Sequence, residues 1–254
     1  MVPAGVYTGT GAFTGSEIVN GAKQTFSTAP TITTIVAADG TYLVLSAKLA
    51  VISQIDTGTG TANGMFTAAN NTEYGLYPDF DSNNFALLPS NQNGALAASF
   101  TTGKDLDATI TYSGTSGDVL TTTTSFVANS AAAPGALPAT IAGTFYSTSN
   151  SGQRINSAAT ATLTISGTAF TGPVDCPFSS TMPPPMPTGC TVTGTLTPRT
   201  DIAAYDVSLS FADGNSKRFP SGWTGLTATG LAYFDGTRLV LGATNGPNGY
   251  AFSN

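Results

Sequence analysis

At 254 residues, with 41% hydrophobic and only 9% charged side chains, the chain can bury one large core or two smaller ones and is too poor in charge for a solvated disordered segment. A formal net charge of −6 with no basic stripe excludes a surface that follows nucleic-acid phosphates. The absence of histidine removes the usual serine and cysteine triads, the commonest general base and most zinc sites.

Threonine is the commonest residue, and strand formers separated by turn residues run along the whole chain, which predicts an all-β fold. Residues 5–13 open as a glycine-rich strand able to bend at a barrel seam. Gly9, Gly11 and Gly15 have the wrong spacing for a dinucleotide loop and no helix pattern follows them. Residues 32–37 and 42–47 flank Asp39-Gly40, a strong hairpin signal. A long fourth strand covers 49–55 and continues through 57–61, and Asn63-Gly64 turns it into a fifth that ends near Tyr77-Pro78. Residues 96–101, 108–112 and 120–127 supply three more strands.

Residues 130–140, small and proline-punctuated, read as a linker. Beyond it Ala142-Gly143-Thr144-Phe145-Tyr146 echoes Ala4-Gly5-Val6-Tyr7-Thr8, and the rhythm of strands begins again. It runs through 159–165, a turn at Ser166-Gly167, 190–197, 205–211, 227–234, the hairpin dipeptide Asp235-Gly236, 238–241 and 250–252. The expectation is two tandem antiparallel lobes of about eight strands each, built as small up-and-down barrels or, alternatively, as β-sandwiches. An acidic N-terminal lobe would span 1–129 and a C-terminal lobe 141–254.

Cys176 and Cys190 bracket the dense proline run of the second lobe. A disulfide between them would close a loop of about 15 residues and contribute about 3 kcal/mol in the chain-entropy model. Asp79 and Asp81 alternate with amides as in a calcium loop, yet Ser90 stands where a bidentate carboxylate is needed, so the segment reads as a solvated turn and only a weak metal site. Asp105 and Asp107 share one face of a strand beside Lys104 and read as a hairpin end rather than a glycosidase pair. Trp223, Tyr233 and Tyr250 form a weak ligand-gripping set, with core or barrel-mouth packing as the plainer account. Arg199, next to Pro198 and Asp201, reads as a local ion pair. No catalytic residue, metal or cofactor constellation emerges, and the chain is expected not to be an enzyme.

Gly189-Cys190-Thr-Val-Thr-Gly-Thr-Leu-Thr-Pro198-Arg199, followed by Tyr205-Asp-Val-Ser-Leu-Ser-Phe211, resembles the signature of a family of uncharacterised proteobacterial exported lipoproteins. The likeness extends to Asp39-Gly40-Thr41-Tyr42, Asn63-Gly64-Met-Phe-Thr67 and Gly230-Leu-Ala-Tyr-Phe234. It implies an exported protein, periplasmic, outer-membrane-anchored or extracellular, held to a membrane only through a lipidated cysteine that this sequence lacks. With no apolar run of 18 or more residues and no signal peptide, Met1 is read as following a removed export signal. The expected role is a non-catalytic module that binds a ligand or an envelope or extracellular partner, without nucleic acid. The alternative is a structural or adhesive surface protein that self-associates into a fibre or matrix.

Overall fold

The computed structural model describes residues 1–19, 22–48, 51–75, 92–101, 104–112, 119–131, 135–149, 157–174, 190–212, 227–246 and 248–254. Among these residues every regular element is a strand. The chain divides into two compact units whose boundary falls between the tenth and eleventh strands.

The first unit contains β1 (Gly5–Val19), β2 (Ala22–Thr28), β3 (Thr31–Val36), β4 (Thr41–Lys48), β5 (Val51–Thr59), β6 (Thr61–Asn63), β7 (Met65–Gly75), β8 (Gln92–Thr101), β9 (Asp105–Tyr112) and β10 (Val119–Ser130). Eight of them close an antiparallel ring in the order β1-β3-β4-β5-β7-β8-β9-β10, and β10 returns to β1 from Tyr7 opposite Ser130 to Glu17 opposite Val119. β2 and β6 lie outside this ring, bonded to β1 and β7 respectively.

The second unit contains β11 (Thr140–Ser149), β12 (Ser157–Ser166), β13 (Ala169–Pro173), β14 (Thr191–Pro198), β15 (Tyr205–Ala212), β16 (Thr227–Phe234), β17 (Leu239–Thr244) and β18 (Asn248–Ser253). Each strand pairs with the next, and β18 closes on β11. Both units are therefore closed up-and-down barrels, and the sandwich alternative does not hold. Closure leaves no edge within either ring, and an eight-stranded ring is narrow enough for its own side chains to fill.

Period-two alternation explains the walls. In β14 and β15, Val192 stands opposite Phe211 and Leu196 opposite Val207, all buried in the second core. The intervening Thr193 and Thr195 stand opposite Ser210 and Ser208 on the outer face. Gly194 is required on the inner face, because a Cβ there would lie 2.5 Å from the Phe170 ring. One row of hydroxyls runs across six strands, from Thr140 through Thr164, Thr171, Thr193 and Ser210 to Thr227. Over β12 to β15 an apolar interior therefore lies inside a hydroxyl-bearing outer face, the inverse of the apolar outward band of a lipid-facing barrel, whereas β16 and β17 turn Leu231, Tyr233 and Val240 outward. No helix among the described residues is long and apolar enough to cross a membrane.

The hairpin dipeptides behave as their chemistry requires. Asp39 Oδ1 accepts the Thr41 N–H at 2.9 Å, and Asp235 Oδ1 accepts the N–H groups of Thr237 and Arg238 at 2.8 and 2.7 Å. Gly40 holds φ +88°, and a Cβ on it would strike the carbonyl oxygen of Gly60.

One end of each barrel joins its strands by short turns alone, whereas the other carries the longest connections together with the short β1–β2, β4–β5 and β17–β18 turns. In the second, β12–β13, β14–β15 and β16–β17 turn at the former end, while the strands flanking 150–156, 175–189 and 213–226 finish at the opposite end. The first barrel repeats the arrangement, with the strands flanking 76–91 and 113–118 finishing together.

The expected linker over 130–140 is largely taken up by the barrels. Ser130 ends β10, the Ala131 N–H donates to Val6 O at 2.8 Å, the Gly135 N–H donates to Phe234 O at 3.2 Å, and Leu137 packs on the second core. Proline and small residues gave the segment a linker composition, but its ends complete ladders at the two barrels. Strand β2 was not expected, because Lys23-Gln24-Thr25-Phe26-Ser27-Thr28 has no apolar alternation to reveal a strand lying outside a core.

Candidate functional site

Tyr233 and Tyr250 do not converge. Tyr250 stands opposite Ala243 on the inner face of the second barrel and is 1% exposed, whereas Tyr233, between inward Ala232 and Phe234, lies on the outer face. Alternation along β16 and β18 puts the two rings on opposite sides of the wall, so they cannot grip one ligand together. Within the barrel the Tyr250 ring centre is 5.3 Å from that of Phe211, and its hydroxyl accepts from Asn245 Nδ2 at 3.4 Å. Burial pushes the Tyr250 hydroxyl up to about 12, opposed by hydrogen bonds from Asn245 and Asn248. Burial and the charge of Asp235 raise Tyr233. Trp223, Asp79, Asp81 and Cys176 lie outside the described residues.

Cys190 is buried in the second core, where its carbonyl accepts the Val174 N–H at 3.0 Å. No free thiol is present among the described residues. Asp105 and Asp107 flank inward Leu106 and so point outward, and Asp105 Oδ1 accepts the Thr101 N–H at 2.8 Å across the hairpin. Arg199 is held by two neighbouring carboxylates. Its Nε and Nη2 donate to the two carboxylate oxygens of Asp201 at 2.9 and 3.1 Å, and its Nη1 donates to Asp206 Oδ1 at 2.6 Å. The hydrogen bond it donates to Asp201 is the main cause that raises its pKa above the usual guanidinium value, and the Nε–Nη2 edge of the fork is taken by that carboxylate.

The polar cluster that sequence reasoning missed lies inside the first barrel. Val44 belongs to the core and stands opposite Asp56, and Ser46 stands opposite Gln54, so both residues of β5 face inward. Asp56 is 0% and Gln54 3% exposed, and Gln54 Nε2 donates to both carboxylate oxygens at 3.0 and 2.9 Å. Asn71 reaches the same interior because the β7 register shifts between Ala68 and Asn71. Without that bulge, two residues three apart could not both face in. The Tyr42 hydroxyl donates to Asn71 Oδ1, and its ring meets Phe66 edge-on at 5.8 Å. Thr34, 1% exposed and opposite Val44, has a hydroxyl with no hydrogen-bond partner among the described residues.

In this arrangement the Tyr42 phenol serves as a hydrogen-bond donor. Burial, and secondarily the charge of Asp56, raise the pKa of Tyr42 above its ordinary value, so the phenol stays protonated as a donor and is a poor base at neutral pH. Among the described residues no group of three His, Cys, Asp or Glu side chains could hold a metal. The class defined here is a tandem of two closed eight-stranded antiparallel barrels, both with an apolar core, the first with a buried polar cluster set into it. No protein-family model, curated protein or solved structure matches the chain.

Proposed function

We propose that the protein is an exported, non-catalytic accessory module of the cell envelope or surface, using closed barrels as rigid supports for binding a ligand or partner. The observation that carries this reading is that each barrel returns its longest connections from one end: the strands flanking 76–91 and 113–118 in the first barrel, and 150–156, 175–189 and 213–226 in the second, finish together. A closed barrel holds the strand ends that flank these connections at fixed separations, which limits the ordering cost of recognition. The engagement of Arg199 by Asp201 and Asp206 and the outward, hairpin-bound placing of Asp105 support the non-catalytic half of the proposal. Purified protein assayed against ester, glycoside, phosphoester and peptide substrates should show no turnover that survives repurification. Activity abolished by Asp105→Asn or Asp107→Asn would overturn the reading.

Export and lipid attachment rest on the resemblance to exported lipoproteins. The accompanying bond between Cys176 and Cys190 is tested by intact mass with and without reductant, and Cys190→Ser should then cost about 2 to 5 kcal/mol. A fibre-forming or adhesive role is the second reading, favoured by one feature: β2 is a seven-residue strand bonded on one side only. Open-ended growth needs two complementary edges per chain. Among the described residues β2 is the one strand of that length outside a ring, which favours a discrete module over a fibre. Light scattering that rises without limit as concentration increases would reverse that preference.

A further inference from the structure

The edge of β2 has a consequence beyond the module reading. β1 carries β3 along Gly5–Thr10 and then, further along the same strand, β2 from Phe13 opposite Thr28 to Val19 opposite Ala22. β4 pairs with β3 and β5, leaving the second side of β2 without a ladder among the described residues. A strand in that position presents a row of backbone donors and acceptors spaced for another extended chain. Lysines and prolines usually guard such edges; β2 has no proline and a single charge, Lys23. The exposed side chains of Ala22, Lys23, Thr25 and Ser27 leave its flank open.

We propose that β2 is a seam through which two copies of the chain pair antiparallel about a two-fold axis at Thr25. The sequence of the strand is what favours a second copy over a foreign segment. With Thr25 on the axis, threonine faces threonine, Gln24 faces Phe26, Ala22 faces Thr28, and Lys23 faces Ser27 rather than its own copy. Hydroxyl pairs support antiparallel strands and like charges directly opposite destabilise them, so this register is self-complementary. The pairing closes on itself, because each copy uses the single long edge found among its described residues and the assembly stops at two. A seam of seven residues falls below the area of a stable interface, so the dimer forms reversibly at high concentration. The first half of the chain also carries the whole net negative charge. Repulsion between two copies therefore weakens the dimer at low ionic strength and is screened by salt.

Sedimentation equilibrium of the full chain from micromolar to millimolar concentration tests the proposal. The wild type should pass from monomer to dimer, more readily in salt. Thr25→Pro removes a ladder donor outside both rings, so it should weaken association by about tenfold or more while leaving the thermal melt of the barrels unchanged. Thr25→Lys and Thr25→Glu place like charges across the axis and should each be monomeric, and an equimolar mixture of the two should associate. A wild type that stays monomeric throughout overturns the proposal. Association indifferent to Thr25→Pro overturns it too, as does a mixture no better associated than either variant alone.

Discussion

In the second barrel, Phe145 lies 5.4 Å from Phe211 and 4.9 Å from Phe252, ring centre to ring centre, inside a wall of valines, leucines and alanines. In the first barrel an apolar core that includes Ile32, Phe66, Leu96 and Phe126 is interrupted where β4, β5 and β7 contribute a phenol, two carboxamides and a carboxylate. The strand plan is shared and the filling is shared only in part. An apolar interior asks only for hydrophobic residues of about the right volume in the right alternation, and it tolerates exchange among them. A buried polar cluster asks for each donor to meet an acceptor, because a buried group left unmet costs more than a met one contributes. Residue identity is therefore constrained more tightly at Tyr42, Gln54, Asp56 and Asn71 than anywhere in the second core.

The largest effect expected from this contrast is in the second barrel. Phe252→Ala removes a fully buried ring between Phe145 and β17 and should destabilise by about 3–5 kcal/mol, read by urea denaturation. Phe252→Leu keeps most of the volume and should cost markedly less. At the polar cluster of the first barrel the logic reverses. Gln54→Leu keeps volume but withdraws both amide contacts from the Asp56 carboxylate, at about 1.5–3 kcal/mol. Converting Asp56 as well, in Gln54→Leu/Asp56→Leu, should recover most of that loss, because a well-packed apolar pair can replace a buried polar one. A double variant as unstable as the sum of its parts would show that the network supports the barrel through partners other than this pair.

These particulars also mark what could be read in the sequence. Asp39-Gly40 and Asp235-Gly236 announced hairpins because their side-chain acceptors and positive φ are local chemistry. Threonine alternating with Val192 and Leu196 announced a two-faced strand, and the echo of residues 4–8 at 142–146 falls on the opening strand of each barrel. Gln54-Ile55-Asp56 misleads, since alternation assigns the polar pair to solvent whereas all three residues are buried and the polar pair turns inward. The inward turn of Asn71 depends on a register shift in β7, a property of the pairing with β8 that a single strand does not encode. Tyr233 and Tyr250 looked like one aromatic set until their strands gave each its own face.

Alkaline titration compares the two interiors through their tyrosines. A phenol whose folded pKa lies above its unfolded value of about 10 contributes stability that is whole below that pH and is lost as pH rises through the folded value. Tyr250 loses its share between about 10 and about 12. Tyr42, raised by burial and by the charge of Asp56, keeps losing stability further up. Within that window each tyrosine removes about 1.4 kcal/mol per pH unit at most. Tyr42→Phe should flatten the high-pH limb of denaturation, and Tyr250→Phe should act only on its lower part. Equal profiles for the two variants would mean that burial and the charge of Asp56 together do not raise Tyr42 beyond Tyr250.

The smallest effect is expected outside either interior, at the turn between β14 and β15. Arg199 is held on two sides, by both oxygens of Asp201 and by Asp206, and its side chain is 16% exposed, but the side chain of Asp206 is 53% exposed. Water therefore screens the pair, and Arg199→Ala should cost under about 1 kcal/mol. Part of even that cost comes from lost packing of the arginine stem, which salt does not screen. Arg199→Lys separates the two contributions: it keeps the charge and most of the stem but loses the planar fork that reaches both oxygens of Asp201. Urea denaturation at low and high salt should place the lysine variant between wild type and alanine, with the gap between wild type and alanine narrowing as salt rises. A cost for Arg199→Ala that is both above about 2 kcal/mol and insensitive to salt would mean that this turn, rather than the aromatic interior, fixes the end of the second barrel.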